Sequence, residues 1–569
     1  MDSVDLTPES RRTHLYDIRK QLDNLDSTQQ IVKAQIETLE GGSLEVSIGK
    51  LRFVSLKLTE AQSALREVFD SLARPLLRPL TIYDLPDELL MATFLQLRNP
   101  SDIKHLRLSS RRLNKSSSHL LLHTIYVSPN PKSLERLDEM SRHPAISKGI
   151  RRLIVSVDSY NADIARSVGS FTIACMQELD RLSEMMPRDN PRLREFAEIR
   201  RSWVAFTESL TEDYDDGTHI NVHHVNALYN GYLRYHNLFQ EQQAVFRGDS
   251  FPQAIASAIG RMNRLNDLVI KDRSRSCDDS ELSSARFRHR LENLATDPIP
   301  LVEDMMLHTV CWQKARVMGV ENPPTQLLYE IPLAIHQAGS SLAHLKFDLT
   351  PAHIFELNLD SDRKSQLESF AQSLQSFKFS VRAEPKHVWR PSRGHEENTD
   401  LSKFLTAFMR SPKLDSMALD FAFQERYCLE DNRMHDPDRT SIGPLVISLP
   451  SPELQNIHLK NCSLHLRDLQ GLFDHLNSDQ VVLGLWYVYL LSGTWADVVE
   501  LLRDEVRRGT LSQKSYVRYP YGAECLTMSF SERERLFHYR CDRRPCKDSL
   551  VNCYIKGHDD GSDSNPLRG

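Results

Sequence analysis

One spacing recurs along this chain and limits what it can fold into: apolar residues at the first, fourth and sixth places of a short window. It occurs at Ile150, Leu153 and Val155; at Leu265, Leu268 and Ile270; and at Leu342, Leu345 and Phe347. It returns at Leu374, Phe377 and Phe379; at Leu414, Met417 and Leu419; at Leu454, Ile457 and Leu459; and at Val482, Leu485 and Tyr487. Most copies follow a helical stretch, such as Pro252 to Met262, Ser365 to Leu374, Leu401 to Met409 or Leu469 to Leu476. A strand and helix of this size cannot bury their own apolar faces, so stacked copies must supply one continuous core. A single trio arises readily by chance in a leucine-rich chain, and the early copies at Ile150 and Leu265 carry the least weight.

The copy at Leu454 extends to Cys462 and Leu464, and with that extension the pattern resembles a degenerate leucine-rich repeat. The resemblance implies an α/β solenoid over residues 128–556, although the copies are spaced more widely and less evenly than in the usual repeat. Ala162 to Phe246 reads instead as mostly helix, a helical insertion over about 160–250, with Trp203, Tyr229, Tyr232 and Tyr235 as core or partner-facing aromatics. Asp297 to Met318 is also helical in pattern, whereas Lys271 to Ser284 and Glu384 to Asp400 are polar enough for exposed loops. The tail, 557–569, is expected to be disordered.

At the N-terminus, over residues 1–74, apolar residues repeat at alternating spacings of three and four. The first seam runs through Leu15, Ile18, Leu22, Leu25, Gln29, Val32, Ile36 and Leu39. Gly41 and Gly42 interrupt it, and a second runs through Leu44, Ile48, Leu51, Ser55, Leu58, Gln62, Leu65, Phe69 and Leu72. Two helices folded about that turn form an antiparallel hairpin with Gln29 level with Ser55; a self-associating coiled coil is the alternative.

Residues 80–127 hold a third pattern. Leu89, Leu90, Phe94 and Leu97 share one helical face, Pro86 suits the first turn, and Asp87 and Glu88 suit the positive end of the helix dipole. Asn99 and Pro100 end that helix and can cap a second, with Ile103, Leu106 and Leu108 on its apolar face. Arg111 and Arg112 precede Leu113, and Leu120, Leu121 and Ile125 close the unit. So small a three-helix module buries little apolar surface by itself. The order Leu85-Pro86, Glu88, Leu89, Leu90, Phe94, Leu97, Asp102, Ile103, Leu106, Arg107, Leu108, Arg111, Arg112, Leu113 resembles an F-box. Leu122 stands where the family often has an aromatic.

The whole is thus expected to be an α+β multi-domain protein: a helical hairpin or coiled coil, a three-helix F-box, then a leucine-rich-repeat-like region with a helical insertion. The F-box resemblance implies a substrate receptor of an SCF (cullin-RING) ubiquitin ligase, docking a Skp-type adaptor through Leu85, Pro86, Glu88, Leu89, Phe94, Ile103, Leu106 and Leu113. Substrate is then expected on the outward strand face of the repeats. Alternation places Lys346, Asp348, Lys378, Ser380, Ala418, Asp420, His458, Lys460, Trp486 and Val488 there, with Lys346, Lys378, Asp420, His458, Lys460 and Trp486 as the candidate contacts. An F-box scaffold outside the ligase, or an enzyme with its site in the helical insertion, are the competing readings.

Composition is consistent with this. The 569 residues are 40% hydrophobic and 26% charged, ordinary for a globular protein, and a net charge of −6 gives no reason to expect nucleic acid. The longest apolar run, Val481 to Leu491, is too short to span a bilayer, and the opening is unlike a signal peptide, so a cytoplasmic or nuclear location with reduced thiols is expected. No G-x-S-x-G, H-E-x-x-H, G-x-G-x-x-G or P-loop motif occurs, and no catalytic residue or cofactor is expected. Cys541, Cys546, Cys553 and His558 lack the tight pairing of a structural zinc site, and adjacent His223 and His224 diverge on a helix, so no metal is expected either.

Overall fold

A computed structural model describes the chain except for residues 1–6, 40–44, 77–80, 98, 187, 191, 211–220, 248–249, 273–297, 314–323, 352–356, 358, 383–394, 423–440, 448–452, 477–478, 539–547, 558–563 and 569. Two compact units result, Met1–Gln96 and Leu97–Gly569. The boundary falls inside the stretch 80–127 that the sequence reading treats as one module.

In the first unit, α1 (Pro8–Leu39) and α2 (Glu45–Ala73) pack on each other. Gln62 Nε2 donates to Asp26 Oδ1 at 2.7 Å and Gln29 Nε2 donates to Thr59 Oγ1 at 2.8 Å. One position rises by three as the other falls by three, the register of an antiparallel hairpin within one chain. Gln29 therefore lies one turn from the expected Ser55, and Thr59, whose hydroxyl also donates to the Ser55 carbonyl, meets it instead. The polar breaks still face each other, which satisfies groups that an apolar layer would leave unpaired. Gly41 and Gly42 lie outside the described residues. The unit ends with α3 (Asp87–Phe94), for which Pro86 sits at the N-cap, one place earlier than expected.

The second unit opens with α4 (Pro100–Ser109) and α5 (Arg111–Ser117). Asn99 caps the former by accepting from Ser101 N at 3.0 Å, and Ser110 caps the latter by accepting from Leu113 N. Arg107 Nε braces the pair through Asn114 Oδ1 at 3.3 Å and Ser118 Oγ at 3.1 Å.

Beyond them a sheet of nine parallel strands dominates. In spatial order these are β1 (Thr124–Val127), β2 (Arg152–Ser156), β3 (Asp267–Lys271), β4 (His344–Leu349), β5 (Ser376–Arg382), β6 (Ser416–Ala422), β7 (Asn456–Lys460), β9 (Val482–Trp486) and β11 (Tyr516–Arg518). Each new sheet strand adds beside the previous one, as connections that bury one helix per strand on a common face require. The trio residues point inward: Leu153, Leu268, Leu345, Phe377, Met417, Ile457 and Leu485 are all buried. Phe347, Phe377 and Phe379 meet Phe404 and Phe408 of the helix His395–Met409, with Phe377 and Phe408 stacked at 5.1 Å. The early copies at Ile150 and Leu265 are full members of the sheet, as β2 and β3.

The last copy is out of phase. β9 pairs Leu483 with Ile457 and Leu485 with Leu459, so Leu483 and Leu485 are the inward pair, and Val482, opposite Asn456, is not. Tyr487 leaves the strand with φ of 55°. That left-handed corner recurs after the neighbouring strands, at Asn461 (φ 53°) and Tyr519 (φ 49°), and turns the chain into a second small parallel sheet, β8 (Ser463–His465), β10 (Tyr489–Ser492) and β12 (Tyr521–Gly522). The corner reverses the alternation, so Val488 is buried at 1% exposure rather than outward. Ile125, expected to close the helical module, instead belongs to β1, and β11 joins the sheet without a trio of its own.

The helical insertion has its own core. Val168–Met185, Arg192–Ser209, Val222–Phe246 and Pro298–Met306 bury Phe171, Trp203, Leu228, Tyr235, Leu301 and Val302 together, so the helix near residue 300 completes the insertion. Trp203 and Tyr235 are core, whereas Tyr229 is exposed. The tail is not all free: Asn565 is buried, donating from Nδ2 to the Ala496 carbonyl at 2.9 Å, and Arg568 pairs with Asp497 at 2.6 Å. Residues 558–563 lie outside the described set.

Candidate functional site

The outward face of the nine-stranded sheet gathers most of the candidate contacts, because parallel pairing in register lines up equivalent positions of successive strands. One row runs Lys346, Lys378, Ala418, His458, Gly484 and Tyr516; the row beside it runs Asp348, Ser380, Asp420, Lys460, Trp486 and Arg518. Neighbouring strands are about 4.8 Å apart, so side chains along a row touch.

Trp486 stands between two cations. Lys460 Nζ lies 4.6 Å from its ring centroid and the Arg518 guanidinium 5.7 Å away, both within the range of a cation–π contact. Arg518 also covers the Tyr516 ring at 5.3 Å. β11 flanks Trp486, which remains half-buried, with its indole N–H buried and lacking an acceptor among the described residues. Beside it, Tyr487 and Tyr519 stack face to face at 4.7 Å and 4°. Bulky residues rarely take a positive φ, and here ring stacking across successive corners offsets the strain.

Gly484 is where the first row narrows. A Cβ at this position would lie 2.6 Å from His458 Nδ1 and 2.7 Å from the Tyr516 ring, so only glycine lets these two side chains close over β9. The Tyr516 hydroxyl stands 3.4 Å from His458 Nδ1. Burial first, then the charges of Lys460 and Lys378, push the His458 pKa below 6.5, and burial raises that of Tyr516.

Not every candidate is presented to solvent. Asp420 is buried, accepting from Arg382 Nε at 3.0 Å and Asn461 Nδ2 at 2.6 Å, so it fastens a corner rather than offering a contact. Ser380 is likewise buried. Lys346 is held by Asp348 on its own strand at 2.9 Å. Lys378 and Arg518 are exposed, and Lys460 and His458 half-buried. Tyr516 and Arg518 escaped the sequence reading because β11 is so short; a lone Val517 is its only inward residue, and no trio marks it.

The candidate adaptor contacts divide in the same way. Phe94, Ile103 and Leu113 are 2–3% exposed and serve as core, which removes Ile103 from the set of surface anchors. Leu85 and Leu106 are half-buried, and Pro86, Glu88 and Leu89 are exposed. In the first unit Ile82, Tyr83, Leu89 and Leu95 are 41–60% exposed, and in the second Leu108 is 84% exposed.

Two buried carboxylates at the other end of the sheet carried no signal in the sequence. Asp158, just past β2, accepts from Ser156 Oγ at 2.5 Å and from Thr309 Oγ1, and burial raises its pKa. Asp272, just past β3, accepts from Trp312 N at 2.9 Å and from both the backbone N–H (2.8 Å) and the hydroxyl of Thr350. Trp312 Nε1 donates to the Val157 carbonyl at 2.9 Å. These groups anchor the chain returning from the insertion to the strand ends.

Among the described residues no cluster of His, Cys, Asp or Glu could hold a metal ion, and no helix is long and apolar enough to cross a membrane. Cys175, Cys462 and Cys525 are free and buried, and Cys311 is buried. Cys553 is disulfide-bonded, contrary to the expectation of reduced thiols throughout. Cys541, Cys546 and His558 also lie outside that set. No family model matches this chain, and no curated protein matches it either.

Proposed function

We propose that this chain is the substrate-recognition subunit of an SCF-type ubiquitin ligase, binding a Skp-type adaptor through residues 80–127 and a protein substrate on the outward strand face. The observation that carries the reading is the ordered set from Leu85-Pro86 to Arg111-Arg112-Leu113, together with large apolar side chains at Ile82, Tyr83, Leu89, Leu95 and Leu108 left in solvent. Helical amphipathicity accounts for the buried Leu90, Phe94, Ile103 and Leu113 but not for the exposed ones, and exposed apolar patches mark interaction sites. The later part of the chain supports the second half of the proposal: strands added in sequence order resemble a leucine-rich-repeat solenoid, a fold that offers a long side-chain-lined face. The subunit would act by proximity, raising the effective concentration of an acceptor lysine near the charged transferase, and would supply no catalytic group itself.

The test is co-purification of the full chain with adaptor and cullin. A Pro86→Ala, Leu89→Ala variant should lose adaptor affinity by about 30-fold, since truncating a central interface anchor costs about 2 kcal/mol. Both side chains are exposed, so the fold should persist. Wild-type adaptor binding by the folded variant would overturn the proposal, and adaptor binding without cullin would favour a scaffold outside the ligase.

A further inference from the structure

The late end of the strand face is cationic and aromatic, with its acids drawn inward. Among the described residues Lys378, Lys460 and Arg518 form no ion pair; the latter two rest on Trp486, and Lys378 is exposed. The nearest acids on the face, Asp348 and Asp420, are already engaged by Lys346, Arg382 and Asn461. Lys378 stands on β5, Lys460 on β7 and Arg518 on β11, so each is two strands from the next, a step of about 10 Å across the strands, with Lys378 offset by two residues along them. An extended peptide advances about 10 Å in three residues. We propose that this face docks an extended acidic peptide segment crossing the strands, with carboxylates at every third residue meeting Lys378, Lys460 and Arg518 and an apolar side chain lying on Trp486.

The proposal rests on the reading of this face as the substrate surface and adds the class of substrate. Three features favour a carboxylate-bearing peptide over nucleic acid. The cationic strip is short; Asp348 and Asp420 stand in the same row as Lys460 and Arg518; and the whole chain carries a net charge of −6, which opposes a long polyphosphate. The lowered pKa of His458 agrees with a positive local potential from Lys460 and Lys378, after burial.

The experiment is fluorescence anisotropy of the full chain with a labelled synthetic peptide bearing Glu at every third position and Leu between, against the same peptide with Gln for Glu and a single-stranded oligonucleotide. The Glu peptide should bind, weaken with added salt, and bind at least about tenfold more tightly than the Gln peptide. A Lys460→Glu, Arg518→Glu variant should lose that binding by about tenfold or more, and Lys378→Gln, which alters only an exposed side chain, should lose a smaller part. Equal binding of the Gln peptide, tighter binding of the oligonucleotide, or unchanged affinity in the Lys378→Gln variant would overturn the proposal. Adaptor binding, measured on the same samples, separates the two readings: peptide bound without adaptor overturns the ligase proposal alone, and adaptor bound without peptide overturns this one alone.

Discussion

The two ends of the nine-stranded sheet solve the same packing problem with opposite resources. At the early end, β2 and β3 carry Ile154 and Val269 on the outward row, and long excursions to the helical insertion are tied down by Asp158 and Asp272, carboxylates buried at the strand ends. At the late end the connections between β7, β9 and β11 are short, a left-handed corner follows each strand, and the outward positions carry Lys460, Trp486, Tyr516 and Arg518. The early end uses buried carboxylates to hold long excursions; the late end also closes with buried polar groups, Asp420 on Arg382 and Asn461 and Asn552 on β11, but adds ring stacking and sets Lys460 and Arg518 on Trp486 at the outward face. Binding is therefore to be sought where charge is left over: polar groups satisfied inside the fold, Asp272 and Asp420 alike, are not available to a partner, whereas Lys378, Lys460 and Arg518 are.

The comparison breaks most sharply at Asp272. Replacing it with Ala leaves the Trp312 and Thr350 backbone N–H groups buried without an acceptor, and we expect a loss of about 3 kcal/mol in a denaturant titration of the full chain. A loss below about 1 kcal/mol would mean that water replaces the carboxylate and that the early end is not anchored as described. Next comes Gly484→Ala, which drives a methyl group into His458 and Tyr516 and should cost about 2 kcal/mol through overpacking. Unchanged stability would show that the two side chains swing apart at no cost. Asp420→Ala frees Arg382 and Asn461 near the edge of the face and should cost about 1.5 kcal/mol, less than Asp272 because Arg382 reaches solvent. Equal losses at the two aspartates would erase the distinction between the ends.

The smallest effect concerns pH. His458 has a folded pKa below 6.5, so as pH falls the unfolded chain takes up its proton first. Its contribution is complete above about pH 6.5 and is lost as pH falls through the folded value. His119 and His224 shift in the same direction, so the melting temperature of the full chain should decline below that pH, and His458→Gln should make the decline shallower without abolishing it. Identical slopes for both proteins would remove His458 from the account.

Much of this architecture is legible in the residues, and the losses have physical causes. Six of the seven trios sit on strands in the expected phase, including the two given least weight, because inward residues of a buried sheet must be apolar whatever the connection length. A further trio, Leu122, Ile125 and Val127, was concealed inside the stretch read as the helical module; its last two residues are buried in β1. The trio at Val482 was misphased because Tyr487 occupies a left-handed corner, a backbone state that side-chain hydrophobicity does not encode. The hairpin was expected from its seams, and its register came out one turn away because the Asp26–Gln62 and Gln29–Thr59 bonds, rather than apolar spacing, set the match.

The features legible in the residues are therefore periodic: the paired N-terminal helices, the alternation of helix and strand, and the identity of the inward residues, all of which follow from local spacing and the cost of exposing apolar surface. The features that emerge with folding are relational. That Lys460, Trp486 and Arg518 share one row, that Asp420 is spoken for and Val488 buried, and that Asp272 reaches Trp312 and Thr350 all depend on which strands lie side by side. Such neighbours are set by long-range pairing in register, and a one-residue change at a single corner reverses which side chains face outward.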